Sequence, residues 1–117
     1  MHNFQELKIW QKAIEIAEKV YQISTEFPPE EKYGLTSQIR RSSVSIASNI
    51  AEGAGRNSDK EFNYFLGIAN GSANELFTQL VLAYRLDLVK QNKINPLLEE
   101  LTEIQKMNYS LMQRFRK

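Results

Sequence analysis

Three groups of side chains in this chain have types and spacings that could do chemistry: the pair Arg40-Arg41, the carboxylates Glu99, Glu100 and Glu103, and the trio Asn49, Glu52 and Gly53. The arginines suit phosphate, because a guanidinium presents planar, bidentate donors. From Lys32 to Ser58, four basic residues (Lys32, Arg40, Arg41, Arg56) stand against one acid, Glu52. From Ile104 onward, Lys106, Arg114, Arg116 and Lys117 stand against none. Such local surpluses can displace counterions from a nucleic-acid backbone. A structural use competes with that one. Adjacent helical residues point about 100° apart, so Arg40 and Arg41 cannot face the same ligand, and either can pair with Glu52 or Glu75 or cap carbonyls at a helix end. The C-terminal cations also complement the negative end of a helix. The three carboxylates share a face with Lys106 and read as a solvated surface. Asn49, Glu52 and Gly53 have no base or activated nucleophile near them in sequence, so they read as polar packing at a helix end.

Much other chemistry is closed to this chain. Cysteine is absent, which removes disulfides, thiolate metal sites and thiol nucleophiles. The one histidine is His2, and no Glu-x-x-His occurs, so the ligand pattern of a di-iron bundle is missing. The expectation is no catalytic residue, no metal, no cofactor and no hydrolase, transferase or redox activity. Fifteen Lys and Arg against 14 Asp and Glu leave a net charge of +1, which excludes a histone-like arm or an acidic tail. No apolar run nears the roughly 20 residues of a membrane span, and Met1 to Glu6 lacks the pattern of a signal peptide. A cytoplasmic location without membrane contact is expected.

The elements that position these residues are helices. With 117 residues, eight of them Gly or Pro, and no sustained alternation of apolar and polar positions, the chain reads as one all-α domain, residues 1–117. Helices are predicted over about 7–25, 30–52, 59–86 and 92–115, joined by links short enough for an up-down-up-down antiparallel four-helix bundle. Pro29 with Glu30 and Glu31 suits the start of the second helix, Gly53-Ala54-Gly55 its end, and Ser58 with Glu61 a capping box for the third. Asn95-Pro96 suits the start of the fourth, although its apolar period already begins at Ile94. The first helix carries two apolar stripes side by side. Leu7, Trp10, Ile14, Ala17 and Tyr21 form one, and Ile9, Ala13, Ile16, Val20 and Ile23 the other. Their arc is about 200° wide, beyond the roughly 100° that covers one core. The second stripe is therefore assigned to a subunit interface. Trp10, with Phe4 and Tyr33, reads as a core or interface anchor.

Several blocks of the chain resemble one family. They are Phe4 to Ala13 (FQELKIWQKA), Phe27-Pro28, Tyr33 to Ile46 (YGLTSQIRRSSVSI), Ser48 to Gly53 (SNIAEG), Gly55-Arg56, Phe65 to Ala69 (FLGIA) and Gly71 to Leu76 (GSANEL). In this order they are similar to the four-helix-bundle proteins encoded in intervening sequences of bacterial 23S rRNA genes, while Met112 to Lys117 has no counterpart. The resemblance implies a four-helix bundle assembled as a ring-like homopentamer. It also implies kinship with the accessory variability protein of diversity-generating retroelements, a basic pentamer. This chain differs from those basic relatives in being nearly neutral.

Two functions follow as expectations. One is an oligomeric accessory protein that binds RNA or single-stranded DNA by its backbone, through Arg40, Arg56 and Lys60 with Arg114, Arg116 and Lys117 adding charge. The other is a scaffold whose homo-oligomer recruits a protein partner without nucleic acid.

Overall fold

Asn3 begins the ordered chain by accepting the Gln5 N–H on its side-chain oxygen, which caps a single 3-10 turn, Phe4–Glu6. Four helices follow in the structure, a computed structural model that describes residues 1–116: α1 (Lys8–Ser24), α2 (Leu35–Ala54), α3 (Asp59–Arg85) and α4 (Gln91–Arg114). Lys117, one of the cations expected in the tail, lies outside the described residues.

The Ser58 hydroxyl accepts the Glu61 N–H at 3.1 Å, so α3 starts where the capping pattern placed it. Helix α2 starts later than expected. Pro29–Glu31 forms only a 3-10 turn, and Gly34, at φ −108° and ψ −113°, interrupts the path before Leu35. In α4 the apolar period prevails over proline: the helix begins at Gln91 and carries Pro96 inside it, at the cost of one missing N–H donor.

Side-chain and backbone contacts fix the topology. Arg40 meets Ser24 and the His2 N–H meets the Ala54 carbonyl, so α1 and α2 are antiparallel. Ser42 bonds Gln79 and Ser45 bonds Ser72 between α2 and α3. Asn108 donates to the Leu66 carbonyl at 2.8 Å between α4 and α3, and Lys93 pairs with Glu26 between α4 and α1. Each helix touches only its two neighbours, which makes the cross-section a square with α1 opposite α3. The result is an up-down-up-down bundle of 45 × 23 × 20 Å. Ile16, Ile39, Ile50, Phe62, Leu76, Leu80 and Leu101 fill its axis.

The stripe of α1 assigned to an interface faces the intrachain core instead. Ile9, Ala13, Ile16 and Val20 are buried in the intrachain core, the last three with no exposure at all, and Ile23 is half-buried against it. They are not a free surface for a second subunit. Lys12 and Lys19, on the flank beside this stripe, pair with Glu100 of α4. Leu7, Trp10, Ile14 and Ala17 lie half-buried along the α1–α2 flank, with Tyr21 exposed at its end. Trp10 meets Phe4 edge-on at 5.2 Å, but Tyr33 is 89% exposed and belongs to no such cluster.

Candidate functional site

Arg40 is committed within the chain. Its Nε donates to Ser24 Oγ at 2.8 Å, an outer guanidinium nitrogen reaches the Tyr21 carbonyl at 3.5 Å, and the group lies 4.7 Å from the centre of the Tyr21 ring. It therefore ties α2 to the last turn of α1, complementing the negative end of that helix. This corrects its place among the nucleic-acid contacts. Arg41, the next residue, is exposed and has no ion-pair partner among the described residues.

The hairpin between α2 and α3 keeps Arg56 and Lys60 together. Arg56 donates to Glu52 Oε1 at 2.9 Å and stacks 4.8 Å from the Phe65 ring centre. Lys60 is exposed and unpaired among the described residues. Both line an open groove of about 540 Å³ with Ser58, Glu61, Tyr64 and Phe65. Tyr64 is 66% exposed and meets Phe65 edge-on at 5.3 Å. Neither aromatic ring was assigned to a ligand site by spacing. The available signal was that Tyr64 falls off the core stripe that Phe62 and Phe65 follow. An exposed ring beside cations, one of them unpaired, suits stacking on a nucleotide base.

The tail reaches the same end of the bundle. The Phe115 ring lies 5.1 Å from Phe62 and 5.8 Å from His2, and His2 stands 3.5 Å from Asp59, the first residue of α3. Arg114 and Arg116, both exposed, flank that ring in sequence. Four cations (Arg56, Lys60, Arg114, Arg116) are thus gathered here, against Glu52, Asp59 and Glu61. Arg40, some 14 residues before the end of α2, stands about 21 Å away at 1.5 Å per residue.

The carboxylates of α4 are not the uniform solvated face expected. Glu100 is half-buried and accepts from both Lys12 (3.4 Å) and Lys19 (2.5 Å), and Glu103 adds a second anion 3.5 Å from Lys12. Burial pulls the Lys12 pKa down, but the two carboxylates outweigh it and hold the ammonium above its ordinary 10.5. The cluster ties α1 to α4. Among the described residues no three ligand-type side chains converge as a metal site would need.

Asn49 and Gly53 serve packing. The Asn49 amide donates to the Ser45 carbonyl at 2.8 Å and to its hydroxyl at 3.0 Å. Gly53 is buried inside α2, where an added Cβ would stand 2.7 Å from Phe65 Cβ and 3.2 Å from the Phe62 carbonyl oxygen. It marks a close approach of α2 to α3 and is not part of a turn.

Residues 5–110 match the family model described as 23S rRNA-intervening sequence protein. The chain belongs to that family. Among solved structures it is similar to a protein of unknown function from the S23 ribosomal protein family of Bacteroides thetaiotaomicron VPI-5482. The two share 27% identity with a TM-score of 0.81, covering 90% of this chain and 98% of that one. No curated protein matches the chain. The intervening-sequence family match takes in Arg40, Arg56, Lys60 and Tyr64 but stops short of Arg114 and Arg116. Among the described residues of this family member, no helix is long and apolar enough to cross a membrane.

Proposed function

We propose that the protein is a non-enzymatic, self-assembling accessory protein whose α2–α3 hairpin end binds the backbone of single-stranded nucleic acid. The observation that carries this reading is the grouping of Lys60, Arg114 and Arg116, free of intrachain ion pairs among the described residues, at the end of the bundle where Lys60 lines a groove with the exposed Tyr64 ring. Phosphate would be held by cations and by the N–H groups of the first turn of α3, where the helix dipole favours an anion. Tyr64 would stack on a base without reading its identity. Assembly into a ring, five copies by the family resemblance, would repeat this end around an axis and multiply weak contacts. Glu52, Asp59 and Glu61 oppose a strong field, so affinity for mixed-sequence RNA is expected to be micromolar or weaker.

The scaffold reading is favoured by one specific observation: the two arginines expected to lead the contact, Arg40 and Arg56, both have intrachain partners. A filter-binding comparison at low salt separates the two. Lys60→Ala with Arg114→Ala and Arg116→Ala should weaken RNA binding at least tenfold, whereas Arg40→Ala should lower stability and leave affinity unchanged. Equal binding by the triple variant and wild type would remove the hairpin end as the contact.

A further inference from the structure

We propose that the groove beside Tyr64 takes a guanine base, with the Glu61 carboxylate accepting hydrogen bonds from the guanine N1–H and N2–H groups. The inference rests on the nucleic-acid reading above and assigns a base preference to the same site. Lys60, Glu61, Tyr64 and Phe65 line the groove together, and its volume of about 540 Å³ lies within the roughly 300–1,000 Å³ of small-ligand sites. Residues 60 and 61 stand four and three positions before 64 in α3, so both are neighbours of the Tyr64 ring on the helix surface. Glu61 is free to serve a ligand. Its backbone N–H is held by Ser58 Oγ at 3.1 Å, but its exposed carboxylate makes no ion pair and no hydrogen bond among the described residues. The arginine of the groove, Arg56, is paired with Glu52 instead.

An ionised carboxylate only accepts hydrogen bonds, and it can accept two side by side. Guanine alone among the four RNA bases presents two adjacent N–H donors on its Watson–Crick edge. Uracil flanks its single N–H with carbonyl oxygens. Adenine and cytosine place a ring-nitrogen acceptor beside the amino group, so each of these three bases sets a lone pair against Glu61. Bases splayed from a single strand are recognised by stacking on an aromatic ring and by hydrogen bonds to that same edge. Tyr64 supplies the stacking surface, Glu61 the acceptors, and Lys60 a cation for the adjoining phosphate.

The test is fluorescence anisotropy of the full chain at low salt with short single-stranded oligouridine probes. Each is compared with the same probe carrying dispersed guanosine, inosine, adenosine or cytidine. Wild type should bind the guanosine probe at least about fivefold more tightly than the uridine, adenosine and cytidine probes, the discrimination of a good bidentate pair. Inosine, which lacks the N2 amino group, should lose most of that gain. Glu61→Gln, with its fold confirmed by circular dichroism, should erase the guanosine preference and bind oligouridine more tightly than wild type, because a charge that opposes phosphate is gone. Equal binding of every probe by wild type overturns the base preference and leaves the backbone reading standing. No binding of any probe overturns both. Inosine binding as well as guanosine, or a guanosine preference that survives in Glu61→Gln, overturns the contact to Glu61. The inosine comparison uses the wild-type chain and decides the point should Glu61→Gln fail to fold.

Discussion

Ile16→Lys should unfold the chain. Ile16 has no solvent exposure and faces the bundle axis among Ile, Leu and Phe side chains. A lysine there must either hold its ammonium out of water or tear α1 away from its neighbours. An uncompensated buried charge costs about 3–5 kcal/mol, and the whole stability of a domain this size is only about 5–15 kcal/mol. Far-ultraviolet circular dichroism should show most of the helical signal lost and no cooperative melting transition at room temperature. Glu18→Lys, on the exposed side of the same helix, should melt like wild type. Retained helicity with a smaller assembly would return the Ile16 stripe to a subunit interface.

Gly53→Ala should destabilise the bundle although alanine is the better helix former. The new methyl group would stand 2.7 Å from Phe65 Cβ, 3.0 Å from a Phe62 ring carbon and 3.2 Å from the Phe62 carbonyl. Two of these three atoms cannot swing away, because one is a Cβ and the other is backbone. The helices must separate, and overpacking of this kind costs about 1–3 kcal/mol, set against a propensity gain of about 1 kcal/mol. Chemical denaturation should therefore show a net loss. Gly55→Ala is the matched control: its φ is −81° and its nearest contact for a Cβ is 3.7 Å, so its effect should stay within about 0.5 kcal/mol. A gain in stability at Gly53 would contradict the close approach of α2 and α3.

The number of helices and their order were legible in the sequence because each has its own apolar period, and Ser58 with Glu61 marked the start of α3. The start of α2 was not. Proline followed by two glutamates is a good helix opening by local rules, and only the backbone angles of Gly34 show that the opening turn is separate from the helix. The two stripes of α1 could not be ranked from its own residues, since either could face the axis. The choice depends on how the stripe packs against the other helices, which bury Ile9, Ala13, Ile16 and Val20.

At the candidate site the same limit applies. Charge counting found Arg40 and Arg56 but not the partners that occupy them, because Ser24 and Tyr21 reach Arg40 only across a helix pair. The proximity of Arg114 and Arg116 to α3 likewise depends on Phe115 packing on Phe62. Tyr64 was overlooked for a simpler reason. Its position off the stripe of Phe62 and Phe65 marks it as solvent-facing, but exposure alone does not assign a ring to a ligand.

The most direct test of the central claim is a salt titration of wild-type binding to single-stranded, mixed-sequence RNA, using the full chain. Backbone contact through three to four cations predicts that the logarithm of the association constant falls linearly with the logarithm of salt concentration, with a slope of about −2 to −3. Binding that ignores salt, or no binding at the lowest salt used, would contradict a nucleic-acid role for the hairpin end and leave the protein-scaffold reading in its place.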